Sequence, residues 1–289
     1  MAGDASARQQ RPTAARAAVA LTVAGSDPSG GAGIQADLKT FCRLGVYGAA
    51  AITCLTVQNT RGVQAVHCLD AGLVVDQVAA VLDDLPVTHI KTGMLGTAAI
   101  ARQLGRLLAR FTGEVVVDPV LVSSSGHPLF EADSLAVFQD DFLPAATVIT
   151  PNRPELELLA GHACPDRETV VAACRTLFLR YPRLRTICVT GGHFHAGEGQ
   201  VIDYLVRRSA TADAPLVTSR EHPRIEKRIG HGTGCTFAAG FAAYHLLTDD
   251  DEAAFTGAVD FVADLLATSP VMGHGTAPLA HHRPAGREQ

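Results

Sequence analysis

The sequence predicts one α/β domain with a mostly parallel central sheet and helices on both faces. Three observations carry this. Short apolar runs alternate with helix-like runs from Val19 to about Ala267. The strand-like runs are apolar throughout, the pattern of strands covered on both faces rather than one. No composition break or long linker divides the 289 residues, 47% of them hydrophobic, so one large core is favoured over two small ones.

Val19–Ala24 reads as the first strand, followed by a helix from about Gly33 to Leu44. Ala50–Val57 reads as a strand, Leu73–Leu82 as a helix, His89–Thr92 as a short strand and Thr97–Arg110 as a helix. Val115–Asp118 is the next strand and Ala132–Phe142 the next helix; then come strand Thr147–Thr150 and helices Arg153–Leu159 and Glu168–Arg180. Thr186–Thr190 is a strand, and Val201–Val206 with Leu216–Thr218 reads as a hairpin near a sheet edge. Helices Thr233–Leu247 and Glu252–Ala267 close the domain, which is assigned residues 19–282. Residues 1–18 read as a disordered leader and 283–289 as a loose tail.

Open sheets of this kind bind ligands beyond the C-terminal ends of their strands. Five expected strands end in polar or glycine-rich clusters: GSDPSGGAG from Gly25, QNT from Gln58, DPV from Asp118, TPNRPE from Thr150 and TGGH from Thr190. Packing alone does not account for that distribution. The net charge of −5 offers no basic footprint for nucleic acid, so the expected partner is a small molecule. No apolar window reaches the ~18 residues needed to span a bilayer. The seven cysteines form no CxxC and sit mostly in apolar runs, which reads as reduced cytosolic thiols used as small core residues. A cytoplasmic location follows.

The most informative segment is RIGHGTGCTF, Arg228–Phe237. Its glycine-rich turn precedes a run in which Phe237, Gly240, Phe241, Tyr244 and Leu247 recur at helical spacing. Such a turn aims several backbone N–H groups at one point, and the helix dipole adds positive potential there. Gly232 and Gly234 are thus candidates to hold an anion, and Cys235 lies in the first turn, where a thiolate is favoured. A plain turn before a buried cysteine is the competing reading. GHGTA (273–277) echoes GHGTG and reads as a turn that could cover a nucleotide.

Asp37 falls on the inward side of the helix that Ile34, Leu38 and Phe41 define. It is either stabilised by the helix dipole or in contact with a polar ligand. Gln58 suits the edge of an aminopyrimidine or a similar heterocycle, or caps a loop. Met94 packs on a flat ring, or in the core. Asp118 and Glu155 can hold Mg²⁺, with Asn152 orienting a metal water or a phosphate; helix capping is the alternative for each. No P-loop is present, and GGAG is no dinucleotide fingerprint. His193 and His195 have no third ligand at metal spacing, and His281-His282 reads as solvated tail.

These motifs resemble those of bacterial hydroxymethylpyrimidine/phosphomethylpyrimidine kinases of thiamine biosynthesis, in the ribokinase-like superfamily. The matching stretches are LTVAGSDPSGGAGIQADLKTF (21–41), TVQNT (56–60), KTGMLG (91–96), VVVDPVLVSSSG (115–126), VITPNRPELELLAG (148–161), TGGH (190–193) and HGTGCTFAAGFAAY (231–244). The resemblance implies a ribokinase-like fold, transfer of the γ-phosphate of ATP with Mg²⁺ to the hydroxymethyl group and then to the monophosphate, and a homodimer. It implies that Asp37 and Gln58 bind the aminopyrimidine, with Gly25, Met94 and Val120 around it. Gly232, Gly234 and the Cys235 amide would form the anion hole, and Cys235 stands where related sugar kinases carry an Asp base. Asp118, Asn152 and Glu155 would serve Mg²⁺ and phosphates, and Thr190 and Gly192 would line the nucleotide site. The chain departs from the family pattern at Thr190, where Lys is common, at Ser123–Ser125, at His127 and in the final Gly273–Pro278 turn. Losing a lysine there removes a phosphate-binding charge that a hydroxyl cannot replace; Arg61, His127 and His193 are the candidates to compensate. A pyridoxal kinase of the same superfamily and a non-catalytic pyrimidine- or nucleotide-binding paralogue are the competing functions.

Overall fold

The computed structural model describes residues 17–120, 134–191, 199–209, 214–225 and 229–282. In chain order it forms β1 (Val19–Ser26), α1 (Gly33–Arg43), β2 (Tyr47–Asn59), β3 (Gly62–Cys68), α2 (Ala71–Asp84), β4 (His89–Thr92), α3 (Ala98–Leu108) and β5 (Glu114–Val117). Next come α4 (Ser134–Val137), β6 (Val148–Ile149), α5 (Arg153–Ala160), α6 (Arg167–Arg180), β7 (Thr186–Val189), β8 (Gln200–Arg207) and β9 (Leu216–Pro223). β10 (Ile229–His231), α7 (Thr233–Thr248), α8 (Asp251–Thr268) and β11 (Ala277–Pro278) complete the described chain.

The main sheet has nine strands in the order β3-β2-β1-β4-β5-β6-β7-β8-β9 among the described residues. From β2 to β7 neighbours run parallel. β3 and β8 join antiparallel, and β9 forms the far edge as the expected hairpin partner of β8. The chain leaves β1 toward β2 on one side and returns to β4 on the other, so the switch point lies beside β1.

Side chains alternate across the sheet with the two-residue strand period. Leu21, Val23, Val115, Val117, Ile149, Ile187 and Val189 enter the core under α2, α3, α5 and α6. Ala20, Val116, Val148, Cys188 and Leu205 enter the one under α1, α7 and α8. Each fully buried Phe there, such as Phe41, Phe241 and Phe255, contributes about 1.5–3 kcal/mol from burial.

Several expectations are corrected. β3 was not expected: Val63–Cys68 pairs with β2 across a two-residue Thr60-Arg61 turn. The helix expected over 132–142 is a short α4 that widens into a π turn at Phe138–Phe142, where the Asp141 carbonyl packs against Gly105 of α3. α7 has no single apolar face: Thr236 to Ala243 are all buried, because α8 covers the side away from the sheet, while Leu247 is half exposed. His281 is not solvated tail; it is buried, and its Nε2 lies 3.0 Å from Thr236 Oγ1. The expected leader up to residue 16, the tail over 283–289, Ser123–Ser125, His127, Gly192, His193 and His195 lie outside the described residues.

Candidate active site

A cavity of about 930 Å³ opens at the C-terminal ends of the parallel strands. It brings together Gly25 from β1, Gln58 from β2, Met94 after β4, Asp118 and Val120 after β5, Asn152 and Glu155 after β6, and Thr190 after β7. Gly232, Gly234 and Cys235 at the start of α7 complete it. The residues singled out by sequence therefore converge on one space, with one exception among those described.

That exception is Asp37. It is fully buried and off the cavity wall. Its Oδ2 accepts hydrogen bonds from Thr22 Oγ1 at 2.6 Å and from Lys91 Nζ at 3.0 Å, while Oδ1 accepts none. Neither a helix dipole nor a ligand explains it. Asp37 is the counter-ion of Lys91, which sits in β4 behind the cavity and also reaches Asp118 Oδ2 at 3.8 Å. Burial pushes the Lys91 pKa down, but the carboxylates of Asp37 and Asp118 outweigh it and raise it. Lys91 is a residue that sequence reasoning missed, although a lysine inside an apolar strand is a visible anomaly.

Two glycine-rich segments interlock around the mouth. Gly232 caps α7 with φ 87°, and a Cβ there would fall 1.8 Å from the Gly31 carbonyl. No side chain caps α7, so its first N–H groups are left to the cavity. The other segment is tied by Asp27, whose carboxylate accepts from the amides of Ser29, Gly31 and Ala32 at 2.9–3.1 Å. His231 Nε2 lies 2.8 Å from Asp27 Oδ2 and 3.1 Å from the Gln58 amide. Burial opposes ionisation of Asp27, yet bonds from His231 and Ser29 outweigh it and bring the pKa to about 2. Asp27 and His231 were missed by sequence reasoning, though Asp-Pro-Ser-Gly is a turn signature. Gln58 lines the cavity; its Oε1 accepts from Thr56 Oγ1 at 3.2 Å, and its amide nitrogen lies against the His231 ring.

Cys235 corrects a second expectation. Burial pushes its thiol up to about 12, with Asp118 and Asp37 adding to the rise against Lys91. Desolvation outweighs the helix N-terminus and favours the thiol form of Cys235. Burial also raises Asp118 to about 6, despite Lys91. Glu155 rises to about 8, from burial and then from the Asp118 charge. Asn152 and Glu155 form a capping box on α5, each side chain bound to the other's amide at 2.9–3.0 Å. The capping alternative therefore holds for both, and both still face the cavity.

No cluster of three or more potential ligands that could hold a metal exists among the described residues. Asp118 and Glu155 nonetheless fit a divalent cation that keeps its other sites for water and phosphate. Asp118 Oδ2 is buried and accepts no hydrogen bond, and the two carboxylates raise each other's cost of ionisation. At the far end of the cavity, Asp203 accepts from the Gly191 amide and lies 2.8 Å from His222 Nε2. Arg61, named above as a compensating cation, lines the cavity, as do His222 and Arg224, which were not anticipated. The Gly273–Ala277 turn docks on Thr60, through bonds such as Thr276 N–H to the Thr60 carbonyl at 2.8 Å, and only Thr276 of it lines the cavity.

Comparison with known proteins bears on this arrangement. The family described as phosphomethylpyrimidine kinase matches residues 27–280. The hydroxymethylpyrimidine/phosphomethylpyrimidine kinase of Rhizobium meliloti is 43% identical over 78% of this chain and 82% of its own length. That of Bacillus subtilis is 36% identical over 91% and 94%. The thiamine biosynthesis bifunctional protein ThiED of Geobacter sulfurreducens is 40% identical over 90% of this chain, which spans about half, 51%, of that longer protein. Among solved structures, the phosphomethylpyrimidine kinase of Clostridium difficile 630 superposes with TM-score 0.73 at 31% identity, covering 86% of this chain and 98% of its own. The pyridoxal kinase of Staphylococcus aureus in complex with AMP-PCP and pyridoxal gives TM-score 0.77 at 29% identity over 92% and 94%. Sequence match, ribokinase-like fold and converged site together establish that this chain belongs to the phosphomethylpyrimidine kinase family.

Proposed function

We propose that this kinase phosphorylates 4-amino-5-hydroxymethyl-2-methylpyrimidine with ATP, and then phosphorylates the monophosphate to the diphosphate. One observation carries the reading. The uncapped start of α7, the Asp118 and Glu155 carboxylates, and Gly25, Gln58, Met94 and Val120 all line a single cavity.

Each residue then has a task. Gln58 presents its amide to the ring edge, with Thr56 Oγ1 donating to its Oε1 at 3.2 Å. Met94 and Val120 form apolar walls, and Gly25 lets Met94 approach: a Cβ on Gly25 would fall 3.2 Å from Met94 Sδ. The Gly234 and Cys235 amides hold the charge that develops on the transferred phosphoryl group. Asp118 and Glu155 would hold Mg²⁺, which when bound neutralises phosphate charge. Val259, Val262 and Leu266 of α8 give the nucleotide base an apolar shelf, while Asn152, Thr190 and Arg61 contact phosphate. Cys235, whose burial favours the thiol, shapes the hole; phosphoryl transfer depends more on position and charge than on a strong base.

Likeness to pyridoxal kinase structures favours one second reading, pyridoxal as acceptor. Titrating the ATP-free protein with the hydroxymethylpyrimidine, its monophosphate and pyridoxal separates them. The pyrimidine should bind more tightly, and Gln58→Ala should weaken it while sparing pyridoxal; tighter pyridoxal binding would transfer the assignment. We also propose a cytoplasmic homodimer, supported by Leu55 and Val57, exposed on the same face of β2. Among the described residues, no helix is long and apolar enough to cross a membrane. Sedimentation at a single molecular weight matching one chain would refute the dimer.

A further inference from the structure

Two cysteines outside the site lie against each other. Cys54 in β2 pairs directly with Cys68 in β3 across the antiparallel ladder. Residues so paired have Cα atoms about 4.5 or 5.5 Å apart, inside the range of about 4.4–6.8 Å that a disulfide needs. The sulfurs themselves converge on Gly96: a Cβ there would fall 2.3 Å from Cys54 Sγ and 2.4 Å from Cys68 Sγ. Gly96 has φ 83°, so backbone and space both demand glycine where the two thiols meet. The pair is asymmetric. Cys68 is exposed and Cys54 is buried, and neither is in a disulfide.

The pair also touches the cavity wall. Cys54 Sγ donates to the Leu95 carbonyl at 3.6 Å, and the adjacent Thr53 Oγ1 donates to the Met94 carbonyl at 2.6 Å. Leu95 is buried, so losing a donor to its carbonyl is felt locally. Met94 is the residue that packs on Gly25 in the proposed pyrimidine pocket.

We propose that Cys54 and Cys68 form a redox-active dithiol, a modification site that low-molecular-weight disulfides close into a cross-strand bridge, and that closure weakens acceptor binding through Leu95 and Met94. The exposed Cys68 thiolate attacks one sulfur of the small disulfide RSSR, forming Cys68–S–S–R and expelling RS⁻, which takes up the proton Cys68 lost. Cys54 then gives up its proton and attacks the Cys68 sulfur, forming the Cys54–Cys68 bond and expelling the second RS⁻, which leaves as RSH. Two protein thiols are oxidised and one RSSR is reduced to two RSH. The order follows from the environment: the neighbouring Cys68 and then burial raise the pKa of Cys54, so it cannot attack first. Once closed, Cys54 has no proton to donate to Leu95.

The experiment exposes the full chain to oxidised glutathione, denatures it in an alkylating agent and reads its intact mass. The expected result is a loss of two alkylated thiols out of seven without a glutathione adduct, a Cys54–Cys68 peptide after digestion, and reversal by dithiothreitol. Cys68→Ser, an exposed substitution off the cavity wall, should keep basal activity and abolish the bridge. Seven alkylated thiols, a stable adduct on Cys68, or a bridge between other cysteines would overturn the site. The coupling rests on the acceptor assignment made above, whereas the bridge is read by mass and does not. Closure should raise KM for the pyrimidine at least threefold and leave KM for ATP unchanged, with Cys68→Ser insensitive; a bridge with unchanged pyrimidine KM would overturn the coupling alone.

Discussion

Removing the Lys91 ammonium tests the buried charge cluster behind the cavity. Lys91→Met keeps roughly the same volume and leaves two carboxylates without their cation: Asp37, which retains Thr22 at 2.6 Å, and Asp118, whose Oδ2 accepts no hydrogen bond. Breaking a buried pair from one side costs about 3–5 kcal/mol. At about 2 °C per kcal/mol for a chain of this size, Tm should fall by about 6–10 °C. Asp37→Asn in the Lys91→Met background removes one stranded charge and should recover about 2 kcal/mol. Urea unfolding of the wild type, both single variants and the double variant, followed by circular dichroism, gives the coupling energy. Additivity within about 0.5 kcal/mol would refute the ion pair as the reason Asp37 is buried. The same variants speak to substrate binding. Because Asp37 does not reach the cavity wall, folded Asp37→Asn should bind the pyrimidine within about twofold of wild type, whereas a direct ligand would lose about 1.5–3 kcal/mol of charged hydrogen bonding.

Gly232→Ala should destroy turnover, because φ 87° is strained for alanine and its Cβ would meet the Gly31 carbonyl at 1.8 Å; a displacement of ~1 Å in such a site costs about 10²-fold. Gly234→Ala meets nothing closer than Asp118 at 3.9 Å, so it should leave Tm unchanged; steady-state kinetics and thermal melts of the two separate geometry from stability. Burial brings His89 and His281 down to about 4 from 6.5, so each must stay neutral in the folded protein. The unfolded chain binds those protons first, so stability is full above pH 6.5 and falls as pH drops toward 4, by about 3 kcal/mol for each histidine. His89→Gln should flatten that part of a urea-midpoint profile against pH, and an unchanged slope would contradict the assignment. Met94→Ala should raise KM for the pyrimidine severalfold while leaving KM for ATP unchanged, since Met94 packs on Gly25 and not beside Asn152; equal rises would place Met94 outside the acceptor pocket.

The fold was legible where chemistry is repetitive. Apolar strand runs such as Val115–Val117 placed the parallel sheet, and polar clusters at strand ends placed the cavity. β3 escaped because its burial is shallow and its alternation weak, so its pairing with β2 depends on tertiary contact rather than pattern. α7 looked one-sided because a periodicity argument counts large apolar residues; it cannot see that Ala and Gly permit close packing on α8 from the second side. In the site, glycines and carboxylates announced themselves by position. Asp37 showed that an inward carboxylate is an anomaly without showing its cause, which lay in Lys91, 54 residues away in sequence. Cys235 shows the same limit: a first-turn cysteine suggests a thiolate, whereas burial and the neighbouring Asp118 push its pKa up and favour the thiol.

The most direct measurement incubates the purified chain with Mg-ATP and the hydroxymethylpyrimidine, its monophosphate or pyridoxal, and reads product masses. The account predicts diphosphate from either pyrimidine, with Arg61 and its neighbours handling a phosphorylated acceptor in the absence of a lysine at position 190. Phosphorylation of pyridoxal in preference to both pyrimidines would contradict it.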